Sequence, residues 1–391
     1  MPSERDLTIF ARTNWRDRRK PFGIRRADRR AHMYLIGKTG TGKSTLIASL
    51  LQADIRAGEG VALLDPHGDL VERVLASVPG ERKRDLVYFN VGDDQEPLAF
   101  NPLEAVPAAR RSAAASGMLE AFKKLWPDSW GPRLEHILRN GLLALFEFPQ
   151  ATLAHILRLL GDPPFRKAVG ERLENAQVRD FWLREYEQYN ARFRVEAIAP
   201  IQNKVGAFLA DPRLNRILTK SESSFDLRQV MDDGKILLVN LSKGRIGEDA
   251  SALLGALLVA QIGVIGLGRA ENSEETRRDF YLYLDEFQTF ATLSLAMMFA
   301  ELRKYRVNLI LAHQYLAQLE PEVRDAILGN VGTIISFRLG VPDADKLEKE
   351  FYPEFALLDL NRLPNHCFYV KLMVDGVTSS PFSAETVKPS D

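Results

Sequence analysis

Short apolar runs alternate with helical segments along most of the chain. The runs are rich in β-branched and aromatic residues and lack a strict apolar–polar alternation, which is typical of strands in a parallel sheet covered on both faces. They occupy residues 32–36, 61–64, 86–90, 235–240, 280–284, 307–312, 333–339 and 367–373. Helical spacing lies between them at residues 43–57, 293–305 and 343–351. This alternation predicts an α/β fold with a mostly parallel sheet.

The middle of the chain has a different pattern. From about residue 107 to residue 232 the apolar positions recur every three or four residues, as in Leu134, Ile137 and Leu138, and strand-like runs are absent. Prolines divide this region into short helices. We therefore predict four segments: a basic N-terminal arm (1–30), the first part of an α/β core (31–105), an all-α insertion (106–231) and the second part of the core (232–391).

One stretch raises the question of a membrane span. Residues 250–268 carry no charge over 19 positions, close to the roughly 20 residues needed to cross a bilayer. Gln261 interrupts the stretch, and strand-like runs precede and follow it within the repeating α/β pattern. A helix that is apolar all round is also typical of the core of a large protein. We therefore expect a buried helix and no direct membrane span.

The overall composition is that of an ordinary globular protein. The 391 residues include 52 Lys and Arg against 52 Asp and Glu, and 46% are hydrophobic, which excludes a disordered chain, a collagen-like chain and a uniformly basic binder. The single cysteine, Cys367, excludes an intrachain disulfide framework and a cysteine-rich metal site. Because residues 1–20 are polar and arginine-rich, unlike a secretory signal, we expect a cytoplasmic protein.

The neutral balance hides an uneven distribution of charge. Residues 1–30 carry ten basic and four acidic side chains, so the rest of the chain is mildly acidic. A basic segment of this kind can contact nucleic acid, anionic lipid or an acidic neighbouring subunit. The alternative, a solvated surface strand, stays open.

A glycine-rich loop follows the first apolar run. Residues 37–44 read GKTGTGKS, a complete G-x-x-x-x-G-K-[ST] motif, the Walker A loop, between a strand-like run and a helical segment. Its glycines let successive N–H groups converge on phosphate oxygens, and the following helix adds the positive end of its dipole. Lys43 is placed to reach the β- and γ-phosphates, and the Ser44 hydroxyl to bind Mg²⁺. The predicted nucleotide-binding residues are Gly37, Lys38, Thr39, Gly40, Thr41, Gly42, Lys43, Ser44 and Thr45.

Two adjacent carboxylates end the apolar run at 280–284. Asp285 would complete the Mg²⁺ shell, and Glu286 would polarise the water that attacks the γ-phosphate. With Lys43 as a catalytic residue, they predict hydrolysis as well as binding of a nucleotide. The guanine-reading motif Asn-Lys-x-Asp is absent, since residues 203–206 read NKVG. We therefore expect ATP and Mg²⁺ as ligands.

Two further polar residues, Gln314 and Arg338, stand at the ends of apolar runs at the same expected edge of the sheet. Gln314 can sense the γ-phosphate and relay hydrolysis there, and an amide that only caps a strand end is the alternative. Arg338 is the first choice for an arginine finger that reaches the ATP of a neighbouring subunit, with Arg324 second. A surface arginine paired with Asp343 or Asp345 is the alternative for Arg338.

A second acidic segment, with the sequence DPHGD, follows the run at 61–64. Its first residue, Asp65, is a candidate outer-shell acid near the phosphates. One histidine beside two aspartates is weak evidence for a metal, and the proline and glycine are typical of a turn. We therefore predict no separate metal site in this segment.

Basic residues in two segments are the candidates for DNA contact. Lys243 and Arg245 lie in a glycine-containing loop, and Arg303 and Lys304 follow the helical segment after the acid pair. Loops at the carboxyl edge of the sheet can follow the phosphate backbone without reading bases, although each residue is alternatively a surface cation. The sequence has no zinc finger, helix-turn-helix signature or basic platform with interleaved aromatics, so we expect no sequence specificity.

Several motifs occur together in an order that resembles one family. They are FGI at 22–24, DR at 28–29, residues 32–44, DPHGD at 65–69, FNPL at 100–103, WGPRL at 130–134, NLSKG at 240–244, LDEFQ at 284–288, RKY at 303–305 and HQ at 313–314. The chain resembles the HerA/FtsK superfamily of P-loop motors and, more narrowly, the cytosolic ATPase domain of TraG/TraD-type coupling proteins of conjugation and type IV secretion. Coupling proteins usually begin with transmembrane helices, whereas only the basic arm precedes the Walker A loop here.

The resemblance implies a RecA-like motor domain with an all-α insertion, a homo-hexameric ring and ATP-driven pumping of single- or double-stranded DNA through a central channel. We expect a relaxase, a nuclease or a membrane secretion channel as a partner, which would recruit the cytoplasmic chain to the inner membrane. Two alternatives stay open. One is a type IV secretion ATPase that handles protein substrates, and the other is an ATP-gated scaffold that recruits a nuclease or a relaxase.

Overall fold

The computed structural model describes residues 6–16, 18–104 and 106–387, and the chain divides into two units. The α/β unit consists of Met1–Tyr88, Leu227–Asn240 and Arg269–Asp391. The helical unit consists of Phe89–Asp226 and Leu241–Gly268.

Thirteen β-strands are present in the described residues. In chain order they are β1 (Leu7–Thr13), β2 (Pro21–Arg25), β3 (Met33–Ile36), β4 (Gly60–Asp65), β5 (Leu86–Asn90), β6 (Ile236–Asn240), β7 (Phe280–Leu284), β8 (Val307–His313), β9 (Thr333–Ser336), β10 (Cys367–Lys371), β11 (Met373–Val374), β12 (Val377–Thr378) and β13 (Phe382–Thr386). Strands β11 and β12 form a separate two-stranded ribbon, and the others form one sheet.

The sheet has the strand order β2-β1-β13-β10-β9-β3-β8-β7-β4-β6-β5. The six neighbours from β9 to β6 run parallel to one another, and β10, β13, β1 and β2 continue the sheet as antiparallel strands. This arrangement confirms the predicted α/β class with a mostly parallel sheet. Because parallel strands end at the same edge, the residues that follow β3, β7 and β8 come together at the carboxyl edge.

Every residue of the parallel strands β3, β4, β6, β7, β8 and β9 is buried. Helices cover both faces of such a sheet, so neither face selects polar residues. This explains why the sequence shows apolar runs here without alternation. Strands β10 and β13 do alternate between buried and partly exposed positions, as expected of the antiparallel part of a sheet.

The described residues also contain eighteen α-helices. In chain order they are α1 (Arg26–Arg29), α2 (Lys43–Arg56), α3 (Asp69–Ala76), α4 (Arg111–Leu125), α5 (Pro132–Glu147), α6 (Ala154–Gly161), α7 (Pro163–Gly170), α8 (Ala176–Asp180), α9 (Tyr186–Gln188), α10 (Ala191–Ala210), α11 (Pro212–Leu218), α12 (Leu227–Asp232), α13 (Lys243–Ile246), α14 (Glu248–Gly268), α15 (Leu293–Leu302), α16 (Pro321–Asn330), α17 (Val341–Phe351) and α18 (Leu357–Arg362). Helices α4 to α11, α13 and α14 belong to the helical unit.

The apolar stretch at 250–268 forms most of α14. It is the one helix in the described part of the chain that is long and apolar enough to cross a membrane, but 83% of its most apolar window is buried. It packs against α4 inside the helical unit, where a Cβ added at Gly117 would lie 3.1 Å from the Cβ of Ala260. Glycine permits this close approach, and α14 is the core helix that the sequence pattern predicts.

The two units differ from the predicted segment boundaries. The helical unit extends the predicted insertion, 106–231, by residues 89–104 and by Leu241–Gly268, while Leu227–Asn240 returns to the α/β unit. Helix α14 joins the helical unit because its apolar surface is covered by α4. The sequence shows that residues 250–268 will be buried, but it does not show which helix buries them.

The basic segment at 1–30 forms the edge of the sheet in its described part. Strand β1 pairs with β13 and with β2. Several arginines of this basic segment pair with acids from other parts of the chain: Arg12 with Glu385, Arg25 with Asp375, Arg26 with Glu59, Arg29 with Asp54 and Arg30 with Asp279. The predicted basic arm, 1–30, is therefore part of the sheet edge in its described residues, as the alternative of a surface strand has it; residues 1–5 and 17 lie outside the described part.

Candidate nucleotide site

The Walker A loop leaves β3 at the carboxyl edge and enters α2 at Lys43. Neighbouring segments hold its start, because the Gly37 N–H donates to the His313 carbonyl (N···O 3.3 Å) and the Lys38 N–H donates to the Arg338 carbonyl (3.0 Å). Gly42 has a φ of 118°, which only glycine adopts readily. Together these features turn the loop and direct the N-terminus of the 14-residue helix α2 towards it, an arrangement that suits phosphate binding.

Lys43 is buried within this loop. Its ammonium group donates hydrogen bonds to the carbonyl oxygens of Gly37 and Lys38, so it lies across the loop and not in solvent. Burial lowers the pKa of Lys43, while the charges of Glu286 and Asp285 oppose that shift. The structure therefore places the predicted lysine and both predicted carboxylates in one electrostatic environment.

Asp285 directly follows β7 and is nearly buried. Burial, together with the negative charges of Asp65 and Glu286, raises the pKa of Asp285 to about 7. This concentration of negative charge is of the kind that a divalent cation neutralises. The described residues contain no group of three or more acidic, histidine or cysteine side chains able to hold a metal by themselves.

The donor set fits Mg²⁺ bound together with a nucleotide. Mg²⁺ uses one or two protein oxygens plus phosphates and water, and the Asp285 carboxylate and the Ser44 hydroxyl are oxygen ligands of this type. Ser44 lies in the first turn of α2 and is partly exposed. Asp285 and Ser44 are therefore the residues that would hold the ion.

Asp65 supports the site through its charge. One carboxylate oxygen accepts from the His67 N–H (2.8 Å), and the other accepts from the N–H groups of Leu70 (2.9 Å) and Val71 (3.2 Å). These bonds fix the turn before α3 and occupy the carboxylate. The turn explains the DPHGD segment.

Glu286 is held from two sides by amides. Its backbone is left-handed, with a φ of 46°. The Gln314 side-chain amide donates to Oε1 (2.9 Å), and the Gln288 amide donates to Oε2 (2.9 Å). We call Gln288 and Gln314 the amide clamp. Gln314 is one of the predicted site residues, and Gln288 is not, because no pattern in a single sequence marks an amide two positions after a carboxylate as its partner.

His313 connects the clamp to the strand beside the Walker A loop. It is buried, its ring bonds to the Tyr34 hydroxyl, and its carbonyl accepts from Gly37. Burial and the charge of Lys43 lower the pKa of His313 to about 3, so the ring is neutral. Gln314 therefore extends from a rigid, uncharged strand end.

Arg338 makes its contacts within its own chain. Its guanidinium donates to the Leu363 carbonyl (3.1 Å) and to the Asn365 side-chain oxygen (2.8 Å). The neighbouring residue His366 donates its N–H to the Thr41 carbonyl of the Walker A loop (2.7 Å). An arginine finger reaching another subunit would have to break both bonds of Arg338. The sequence gives no sign that residues 363–366 reach the loop.

The DNA-contact candidates fall into both units. Arg303 and Lys304 are exposed, but they precede Val307, the first residue of β8, and so lie at the amino edge of the sheet. The expectation that they stand at the carboxyl edge is wrong, because β8 runs parallel to β3 and β7. Lys243 and Arg245 follow β6 in the chain and lie in the short helix α13, which belongs to the helical unit.

Comparisons with known proteins give one family and one fold. A model of the family described as "Type IV secretion-system coupling protein DNA-binding domain" matches residues 21–349. The solved structure of bacterial conjugative coupling protein TrwBdeltaN70 in its unbound monoclinic form has a TM-score of 0.63 at 17% identity, over 94% of this chain and 87% of that chain. Plasmid coupling protein TrwB in complex with ADP and Mg²⁺ has a TM-score of 0.63 at 17% identity, over 97% and 90%.

A third similar structure is VirB4 of Thermoanaerobacter pseudethanolicus, with a TM-score of 0.63 at 15% identity, over 97% of this chain and 96% of that chain. These likenesses show a shared fold. No curated protein matches the sequence.

Proposed function

The chain belongs to the family of type IV secretion-system coupling protein DNA-binding domains, and on that premise we propose that it is an ATP-driven DNA translocase of the conjugative coupling-protein type. One observation carries the enzymatic part of the proposal. Lys43, Glu286 and Gln314 are linked through contacts or charge at one edge of a parallel sheet, where ligands of such sheets bind.

Each residue of the site has a separate role in hydrolysis. Lys43 exchanges its loop carbonyls for the β- and γ-phosphate oxygens, while Ser44 and Asp285 hold Mg²⁺. Bound ATP supplies the phosphoanhydride bond, and the Mg²⁺ bound with it neutralises charge on the phosphates. Glu286 orients the water that attacks the γ-phosphorus and accepts its proton, while the bond between the γ-phosphorus and the β–γ bridging oxygen breaks and ADP leaves; this requires that one oxygen of Glu286 leave the amide clamp.

The clamp connects the nucleotide to the sheet. Gln314 directly follows β8, so a shift of its amide from Glu286 to the γ-phosphate changes the contacts of a strand that lies between β3 and β7. This gives the protein two arrangements, one with Glu286 held by both amides and one with Glu286 directed at water. A motor needs such a bistable element to convert hydrolysis into movement.

DNA contact and assembly are the remaining parts of the proposal. The family description names DNA binding, and Lys243, Arg245, Arg303 and Lys304 are our candidates for contacts with the phosphate backbone. We propose a homo-hexameric ring in the cytoplasm that a relaxase, a nuclease or a membrane secretion channel recruits to the inner membrane. Since Arg338 is engaged within its own chain, we do not assign the arginine finger to it.

The test is ATP turnover by the purified full chain, measured against protein concentration with and without single- and double-stranded DNA. We expect cooperative turnover that DNA stimulates and that Glu286→Gln abolishes. Double substitution of Lys243 and Arg245 by alanine should reduce the DNA stimulation and leave basal turnover in place. Turnover that ignores DNA would instead indicate a protein-handling ATPase, and no turnover in any assembled state would indicate a scaffold.

A further inference from the structure

Residues 363–366 lie against the Walker A loop on the side away from Glu286. We propose that His366 contacts the nucleoside part, the ribose and base, of the bound nucleotide. The inference rests on the proposed function, since it requires that a nucleoside triphosphate occupy the Walker A loop. It assigns a ligand contact to a residue that no sequence motif marks.

Sheet topology brings these residues to the site. Strand β9 lies directly beside β3, and its Ser336 is opposite Ile36, the last residue of β3. Strand β10 runs antiparallel to β9 and starts at Cys367. Residues just before β10 therefore arrive at the carboxyl edge, next to the end of β3, although they are more than 300 positions away in the sequence.

Direct contacts fix His366 at the loop. Its N–H donates to the Thr41 carbonyl (2.7 Å), and its own carbonyl accepts from the Thr386 N–H (2.9 Å). A Cβ added at Gly42 would lie 3.0 Å from Nδ1 and 3.1 Å from Cα of His366, so ring and loop are in contact. The imidazole is exposed and stands beside the last glycine before Lys43.

Two of the seven non-glycine residues with a positive φ in the described chain flank the loop. His366 has a φ of 67° and Glu286 a φ of 46°, both left-handed conformations that non-glycine residues rarely adopt. Such conformations persist only where the surroundings impose them, and they cluster at ligand sites. Around His366 the surroundings are the hydrogen bonds to Thr41 and Thr386.

The direction of the nucleotide follows from the positions of the acids. Its γ-phosphate must approach Asp285 and Glu286, which follow β7, two strands from β3 on one side. The ribose and base are attached at the other end of the triphosphate, so they extend away from β7. On that side the structure places residues 363–366, and the imidazole of His366 offers a flat ring for stacking on a base.

The test compares ligands with and without a nucleoside. Dissociation constants for Mg²⁺–ADP and for Mg²⁺–pyrophosphate are measured on the full chain and on two variants. His366→Asn removes the ring but keeps a residue type that tolerates a positive φ, whereas His366→Phe keeps a flat ring at a cost in backbone strain that thermal melting reports. We expect His366→Asn to weaken ADP binding about tenfold, pyrophosphate binding to stay unchanged, and His366→Phe to restore most of the ADP affinity.

His136→Asn, at an exposed histidine of the helical unit, is the matched control, and thermal melting checks that each variant folds. Equal losses for ADP and pyrophosphate would overturn the inference, because His366 would then act only by shaping the loop. Unchanged ADP binding in His366→Asn would also overturn it. If the unsubstituted chain binds neither ADP nor pyrophosphate, both the proposed function and this inference are wrong. The other outcomes all require that the unsubstituted chain bind its ligands, so they test the inference alone.

Discussion

The two sides of the Walker A loop are built differently. On the β7–β8 side, one backbone bond joins the Gly37 N–H to the His313 carbonyl, and charged and amide side chains make the other contacts: Lys43 lies in the field of two carboxylates, and Glu286 accepts from two amides. On the β9–β10 side, the hydrogen bonds to the loop come from the backbone, through the Lys38 N–H to Arg338 and the His366 N–H to Thr41, and the His366 ring packs beside Gly42. We interpret the first side as the one that performs the chemistry and the second as the one that holds and positions the ligand.

The largest effect is expected on the chemical side. Glu286→Gln keeps the size of the side chain but removes the base, so kcat should fall by about 10²- to 10⁴-fold while ADP affinity stays within a few-fold. Steady-state turnover and ADP titration of the same preparation measure both quantities. Glu322→Gln, an exposed acid on α16, is the matched control. If ADP affinity fell by the same factor as kcat, the proposal that the β7–β8 side performs the chemistry and the β9–β10 side binds the ligand would be wrong.

A fall in pH should destabilise the fold around β3, the strand that lies between the two sides of the Walker A loop. His32, just before β3, is neutral because its Nδ1 accepts from the Leu309 N–H (3.1 Å), and burial lowers its pKa from 6.5 to about 4. Between these values the unfolded chain binds more protons, so this contribution is full above pH 6.5 and is lost as the pH falls. At pH 5 the contribution of His32 to the free energy of unfolding should be lower by about 2 kcal/mol than at pH 7.

Chemical denaturation at pH 7 and pH 5 measures this change in stability. His32→Asn, which tolerates the left-handed backbone of that position, should show a pH dependence smaller by about the same amount. If the free energy of unfolding of the variant depended on pH as strongly as that of the unsubstituted chain, groups other than His32 would cause the acid sensitivity. His313, with a pKa of about 3, adds a loss of the same sign, and Asp285, with a pKa raised to about 7, adds a gain, so the contribution of His32 is the difference between the variant and the unsubstituted chain.

The amide clamp gives the next effect. Gln288→Ala or Gln314→Ala removes one hydrogen bond that positions Glu286, so kcat should fall about tenfold while KM changes little. The double substitution should change kcat by less than the product of the single effects, since both amides act on one carboxylate. A double-mutant cycle of kcat, with Gln177→Ala in the helical unit as control, tests this. Strictly independent effects would contradict the clamp.

The smallest effect is expected for Arg338, on the positioning side. Arg338→Ala releases Leu363 and Asn365, so the loop at 363–366 should loosen and ADP affinity should fall about threefold to fivefold, with kcat unchanged at saturation. Competition titration with ADP and saturating turnover check it. A kcat loss of about 10³-fold or more would instead identify Arg338 as the arginine finger of a neighbouring subunit.

Much of the fold follows from the sequence because the parallel strands are buried on both faces. Strands β3, β4, β7 and β8 coincide with apolar runs to within a residue or two. Strands β1, β2 and β13 do not, because their residues mix charge with apolar side chains. Arg12 and Glu385 pair only because β1 and β13 lie side by side, and a single sequence carries no signal for a pairing over that separation.

The same limit explains the candidate site. Lys43, Ser44, Asp285 and Glu286 occur in motifs whose residues are adjacent in the sequence. Gln314 is found because it follows an apolar run. His366 is missed because it reaches the loop only through the antiparallel return of β10, and its hydrogen bonds to Thr41 and Thr386 are made by backbone groups, which leave no signal in the sequence. The edge assignment of Arg303 fails because a basic residue after a helix precedes the next strand.

The pairing of β1 with β13 has a consequence for synthesis of the protein. These strands come from opposite ends of the chain, so β1 and β2 leave the ribosome long before their partner does. At about 5 to 20 residues per second, the wait lasts roughly 20 to 80 s. Throughout it, the edge of β1 lacks its native neighbour, and an open strand edge is prone to aggregate unless charge protects it. Arg12 and Arg25 lie on this early hairpin, and their acid partners Glu385 and Asp375 are made only near the end of synthesis, so until then both cations supply the charge that protects a strand edge.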